Sequence, residues 1–298
     1  MSNSRRRLLK GMALSSAALM ANSPVALASP NKKSTTSEDN DLKGNVHHSV
    51  SRWTYGDLDI EALCLLVKSL GFNAIDLVGP EDWPVLQKHN IDSSMCNGAE
   101  LNLVDGWIHP QFHDELTKRY LAHIDLMEQA GYKNLVCFSG NARGMDPKEG
   151  LENAVNGIRR ILPAAEKKGV IIQLELFNSK VDHPDYMADN SPWGLELCKR
   201  LDSPNFKLLY DIYHMQISEG DIIRTIRENH QYFGHYHTAG VPGRNEIDET
   251  QELFYPAIVK AILETGYKGY LAQEFVPTPK TPEGRVQSLR QAIQICDV

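Results

Sequence analysis

The chain alternates short apolar runs with longer stretches in which apolar residues recur every three or four positions. Eight short runs lie at 46–50, 74–78, 91–96, 134–138, 170–176, 206–210, 232–237 and 269–274. Runs of this length, bounded by polar or turn residues, read as strands buried on both faces. Between them, Leu63, Leu66, Val67 and Leu70 fall at i, i+3, i+4 and i+7 in 60–70, and Leu116, Tyr120, His123 and Met127 share one face of 112–130. These patterns predict amphipathic helices.

Punctuation agrees with the pattern. Gly71, Gly131, Gly169 and Gly266 stand where a helix must stop before the next run, because glycine adopts the left-handed conformation of a helix end without strain. Helix starts are marked by Asp57 or Asp59 before Ile60, by Asp146-Pro147, and by Pro80 before the helix through Leu86. Strand-then-helix units in this number, without a Gly-x-Gly-x-x-Gly fingerprint after any strand, predict a closed single-domain α/β fold, a (β/α)8 TIM barrel over 45–298.

Composition adds two segments outside that domain. Ser4-Arg5-Arg6-Arg7-Leu8-Leu9-Lys10 precedes a small-residue, mildly apolar stretch ending Ala26-Leu27-Ala28. This resembles a twin-arginine export signal with a cleavage site, so residues 1–28 are expected to be removed and the protein to be exported to a bacterial periplasm. The stretch is short and broken by Ser15, Ser16, Asn22, Ser23 and Pro24, which argues against a stable membrane anchor. Residues 29–44 are polar and read as a flexible linker. Loss of Arg5, Arg6, Arg7 and Lys10 would take the formal charge from −7 to about −11, a poor surface for a nucleic acid backbone. The cysteines at 64, 96, 137, 198 and 296 lie in apolar stretches without a Cys-x-x-Cys pair, and read as small core residues. Trp83 and Trp107 fit an interface or a lid over a site as well as they fit the core.

Candidate chemistry gathers at the ends of the last four runs. They close on Glu175, Asp211, His237 and Glu274. In a barrel, strand ends converge on one face even when far apart in sequence. The set suits one divalent cation of intermediate hardness, such as Mn²⁺, Mg²⁺, Co²⁺ or Zn²⁺. Without one, three converging carboxylates would repel and some would stay protonated. His235 and His237 are two apart and point the same way. His237, nearer the strand end, is the expected ligand, and His235 a hydrogen-bonded core histidine. His214 is expected at the start of the loop after the sixth strand, leaning over the pocket.

The strings Leu174-Glu175-Leu176-Phe177-Asn178, Tyr210-Asp211-Ile212-Tyr213-His214-Met215-Gln216, Gly234-His235-Tyr236-His237-Thr238-Ala239-Gly240 and Gln273-Glu274-Phe275 resemble the site motifs of hydroxypyruvate isomerases. That family belongs to the xylose-isomerase-like TIM-barrel superfamily, with ketose 3-epimerases and endonuclease IV. The resemblance implies that Glu175, Asp211, His237 and Glu274 hold one metal ion, that Glu175 and Glu274 also exchange protons with substrate, and that His214 and Arg244 contact substrate oxygens. Two departures stand out. Hydroxypyruvate isomerases often place glutamine where this chain has His237, as the epimerases place histidine. After Val241-Pro242-Gly243-Arg244, where the family usually runs on through a longer glycine-rich loop, Asn245-Glu246-Ile247-Asp248 follows at once, so the loop over the site is expected to be shorter or differently shaped.

Moving a carbonyl to the neighbouring carbon requires removal of a weakly acidic C–H proton and stabilisation of an enediolate. A metal supplies the stabilisation, and two carboxylates serve as base and acid. Arg244 can pair with a substrate carboxylate through two hydrogen bonds. The expected activity is therefore a metal-dependent isomerase of a small hydroxy-keto acid, interconverting hydroxypyruvate and tartronate semialdehyde. A sugar or cyclitol epimerase or isomerase is the alternative within the class, favoured by His237 and export. A DNA-repair endonuclease would need a three-zinc cluster and a basic groove, against the acidic balance, and a non-catalytic binding barrel is the remaining reading. The expected partner is a small molecule, not a nucleic acid, and a homo-oligomer is left open.

Overall fold

The computed structural model describes residues 42–298. The expected signal at 1–28 lies outside the described residues, as does the expected linker up to position 41.

Eight strands form one sheet: β1 (His47–Ser51), β2 (Ala74–Asp76), β3 (Asp92–Ser93), β4 (Asn134–Cys137), β5 (Ile171–Glu175), β6 (Phe206–Asp211), β7 (Phe233–Thr238) and β8 (Tyr270–Gln273). Every pairing is parallel, in the order β3-β2-β1-β8-β7-β6-β5-β4. The segment just after β3 meets β4 through an isolated parallel bridge between Cys96 and Leu135, where Cys96 N donates to Asn134 O at 2.8 Å and Val136 N donates to Cys96 O at 3.0 Å. That contact completes the ring, so the fold is the single-domain TIM barrel that alternation of strands and helices predicts.

Local chemistry explains the element ends. Gly71, Gly131, Gly169 and Gly266 all take positive φ, between 67° and 87°. Of the two candidate caps before Ile60, Asp59 serves, accepting from Ala62 N at 2.7 Å, whereas Asp57 pairs with Arg285. Asp146 caps the helix Pro147–Ile158 through Lys148 N.

Three local expectations need correction. Pro80 does not open its helix; the helix runs Trp83–Lys88, with Pro84 in its first turn. Phe112 belongs to a short 3-10 turn, Pro110–Phe112, ahead of the helix His113–Ala130. His214 is not in a loop but in the first turn of the helix Ile212–Ser218, which starts without a linker because the Asp211 carboxylate caps it, accepting from His214 N at 3.1 Å.

The five cysteines are buried and free. Trp83 and Trp107 are buried, which assigns both to the core. Among the described residues no helix is long and apolar enough to cross a membrane.

Inside the ring, residues of one parity along each strand share the interior. Gln173 lies below Glu175, Leu209 below Asp211 and His235 below His237. At this lower level Gln173 Nε2 donates to Asn134 Oδ1 at 3.0 Å, and Ser49 Oγ meets Ser94 Oγ at 2.5 Å.

Candidate active site

The fold brings Glu175, Asp211, His237 and Glu274 together at the carboxyl ends of β5 to β8. Each offers a ligand atom, and these atoms all lie within 4.8 Å of one another. All four side chains are buried, with exposures of 0 to 3 %. His237 Nδ1 stands 3.1 Å from Glu175 Oε1 and 2.7 Å from Glu274 Oε2. Neither approach is aligned as a hydrogen bond, and both His237 Nδ1 and Glu175 Oε1 lack a hydrogen-bond partner.

The other face of the His237 ring explains its orientation. Nε2 lies 2.8 Å from Asp76 Oδ2, and Asp76 Oδ1 lies 2.8 Å from His235 Nε2 and accepts from Ser94 Oγ at 2.6 Å. With Nε2 donating to Asp76, the Nδ1 lone pair faces carboxylate oxygens. Lone pairs facing lone pairs require a positive charge between them, either a proton on Nδ1 or a cation. Three carboxylates, one imidazole and two orphaned buried atoms therefore fit a divalent cation, with Asp76 fixing the histidine tautomer as metal-binding histidines require.

The charges of the protein itself respond to this crowding. Burial raises the Glu175 carboxyl to about 7, against the pull of His237. Burial also raises Asp211 to about 6, opposed by Arg244. Burial would raise Glu274 as well, but His237 and Arg244 outweigh it and hold that group well below the ordinary carboxylate range. Burial disfavours the charged His237 ring, yet Glu274, Asp76 and Glu175 raise it well above its ordinary value. In the absence of a metal a proton on His237 fills the cation's role.

Arg244 is not a solvated loop arginine. Its side chain is 14 % exposed, Nη2 lies 2.5 Å from Glu274 Oε2 and 3.3 Å from Asp211 Oδ2, and Nη1 lies 2.9 Å from His214 Nε2. Its guanidinium also sits over the rings of Trp53 and Tyr213 at 5.4 and 5.3 Å. The short loop holds it there: Gly240 N donates to Asn245 O, Arg244 N to Gly240 O and Val276 N to Arg244 O. His214 is fully buried behind Arg244, its Nδ1 against Asn178 at 2.7 Å. It reaches Arg244 and does not line the cavity.

That cavity, of about 360 Å³, lies over the cluster and is bordered by Glu175, Glu274 and Arg244. Asp211 and His237 lie behind them. Its remaining wall is largely Trp53, Leu77, Leu103, Val136, Phe138 and Phe177, with Asn97, Glu100 and His183 as the polar members.

Three residues escaped the sequence reading. Asp76 left a signal, a carboxylate inside an otherwise apolar run. Trp53, which donates from Nε1 to Glu274 Oε1 at 2.7 Å, left only its position just past β1. Asn178 lies in the motif Leu174-Glu175-Leu176-Phe177-Asn178, and nothing in that string marks its contact with His214.

A family model described as a xylose isomerase-like TIM barrel matches residues 64–295, and the chain belongs to that family. A 2-oxo-tetronate isomerase from Cupriavidus necator is 35% identical over 121 residues, covering 41% of this chain and 46% of the relative. The hydroxypyruvate isomerase of Escherichia coli K12 is 25% identical over 241 residues, covering 77% and 93%. In the first of these, as in others like it, the chain spans about half the length of the curated relatives it matches. Among solved structures, an AP endonuclease, family 2, from Brucella melitensis superposes with a TM-score of 0.72 at 24% identity over 80% of this chain and 96% of the other. A D-psicose 3-epimerase with D-tagatose from Clostridium cellulolyticum H10 gives 0.69 at 18%, over 84% and 98%. At these identities the two structures share the fold.

Proposed function

We propose that this protein is an isomerase that shifts a carbonyl group along a small hydroxy-keto compound through an enediolate, in the manner of hydroxypyruvate to tartronate semialdehyde. The observation that carries the reading is the buried set Glu175, Asp211, His237 and Glu274, with ligand atoms within 4.8 Å of one another beneath a cavity. These four residues would hold one divalent cation, which when bound supplies Lewis-acid stabilisation of the developing oxyanion.

The protein's own groups divide the remaining work. Glu175 and Glu274 border the cavity, so one takes the C–H proton and the other returns a proton to the neighbouring carbon. Asp211 and His237 lie behind and serve as ligands. Arg244 borders the cavity beside Glu274 and donates to oxygens at the reacting end of the substrate, with His214 and Asn178 positioning it from behind.

A ketose epimerase is a second reading, favoured by histidine at position 237. In epimerisation the proton returns to the same carbon from the opposite face. Purified protein supplied with Mn²⁺ or Mg²⁺ in D₂O should place deuterium on carbon in hydroxypyruvate or in ketoses. Absence of exchange into every small hydroxy-keto compound tried would refute the enediolate reading, and the compound that exchanges fastest separates the two.

A further inference from the structure

We propose that the natural substrate carries, beyond its hydroxy-keto unit, a second, uncharged group with an apolar face, seated on the side of the cavity built by the chain after β2, β3 and β4. This rests on the enediolate reading above and narrows its substrate.

Size is the first argument. A three-carbon keto acid fills at most on the order of 200 Å³, even if every heavy atom is allowed the ~30 Å³ of a liquid water. The cavity, open to solvent along Trp53 and Leu103, offers about 360 Å³. Placement is the second. The four candidate ligands end β5 to β8, whereas Leu77, Leu103, Val136 and Phe138 belong to β2 to β4 and the segments that follow them. A substrate reacting between Glu175 and Glu274 therefore has its remaining space against mainly apolar side chains, with Asn97 and Glu100 of the segment after β3 as the polar groups on that side.

The lining chemistry selects what fills that space. A free sugar hydroxyl placed there would give up water and find few partners, at about 1–3 kcal/mol for each unsatisfied group. Asn97, Glu100 and His183 are the polar side chains on offer. The His183 ring is itself stacked on Phe177 at 4.1 Å, and Phe177 on Phe138 at 5.6 Å, which extends an aromatic wall. An anionic group fares worse. Among the described residues Arg244 is the one Lys or Arg in the lining, and it is engaged by Glu274 and Asp211, while the Glu100 carboxylate would repel a phosphate or carboxylate. The wall is also held at a conformational cost: Leu77, a non-glycine residue, sits at φ 54°. Apolar lining with few polar groups is the usual make-up of a pocket that recognises a ligand by shape.

The test uses the Mn²⁺-supplied protein and four probes: hydroxypyruvate, D-fructose, its 6-O-benzyl ether and its 6-phosphate. Binding is measured by titration calorimetry and reaction by carbon deuteration in D₂O. The ether should bind at least about tenfold more tightly than each of the other three, and Leu103→Asp, at a half-exposed site that tolerates a polar side chain, should cut that advantage about tenfold. Tightest binding by the phosphate or by hydroxypyruvate, or no gain of the ether over D-fructose, overturns the proposal. Deuteration of hydroxypyruvate without a benzyl advantage overturns it while leaving the enediolate reading standing. A benzyl advantage with no deuteration of any probe upholds the preference of the cavity and removes the enediolate reading.

Discussion

The two halves of the ring are built alike and end differently. On the β5–β8 side the strands finish on Glu175, Asp211, His237 and Glu274, with Arg244 laid across them. On the β2–β4 side the cavity meets Leu77, Leu103, Val136 and Phe138. Buried charge is therefore concentrated at the ends of β5 to β8, where the proposed proton transfers fall, while the side opposite is mainly apolar, with Asn97 and Glu100 as its polar members. The first half still serves the chemistry, from beneath and beside it: Asp76 at the end of β2 orients His237, and Trp53 after β1 donates to Glu274.

The contrast can be broken most sharply on the charged side. Glu175→Gln and Glu274→Gln should each lower the rate of carbon deuteration about 10²–10⁴-fold, because each removes a proton-transfer group. Retention of more than a tenth of the rate by either variant would move that role elsewhere. Next comes Asp76→Asn. Loss of the carboxylate that fixes the His237 tautomer should weaken Mn²⁺ binding about 10–100-fold by calorimetry, with the fold retained by circular dichroism. A change below threefold would show that Asp76 is only a structural hydrogen-bond acceptor.

Metal should distinguish the halves through stability. At a Mn²⁺ concentration about 100 times its dissociation constant the folded state gains about 2.7 kcal/mol, or a rise of roughly 5–10 °C in Tm. Glu274→Gln should abolish most of that rise, and Leu103→Asp should leave it intact. A loss in the Leu103 variant would mean that the two sides are coupled through the cation.

The smallest effect concerns pH. On the first half, burial lowers His123 from 6.5 to about 4. The unfolded chain then binds that proton first, so the histidine's contribution to stability is whole above about pH 6.5 and is lost as pH falls toward 4. His123→Phe, which keeps an aromatic ring edge-on to Trp83, should flatten the dependence of urea-unfolding free energy on pH in that window. An unchanged slope would contradict the assignment.

Much of this was legible before any coordinates. Strand and helix positions, the glycine stops, and the four polar strand ends follow from local periodicity, since a buried strand between amphipathic helices has few other ways to hide its apolar groups. His214 was misplaced because a helix capped by the last residue of a strand has no loop to announce it. Pro80 was misjudged because proline also suits the turn before a helix.

Sequence by itself determined that this chain is a barrel of alternating strands and helices whose late strands end in carboxylates and an imidazole, because those facts depend on neighbours a few positions away. Tertiary structure alone decided how the groups meet. Asp76 reaches His237 across 161 residues and Trp53 reaches Glu274 across 221. The same closure laid Arg244 over Asp211 and Glu274, and left Leu77 and Phe138 facing them across the cavity. Periodicity records which residues are buried; only the closed ring sets which buried residues share a site.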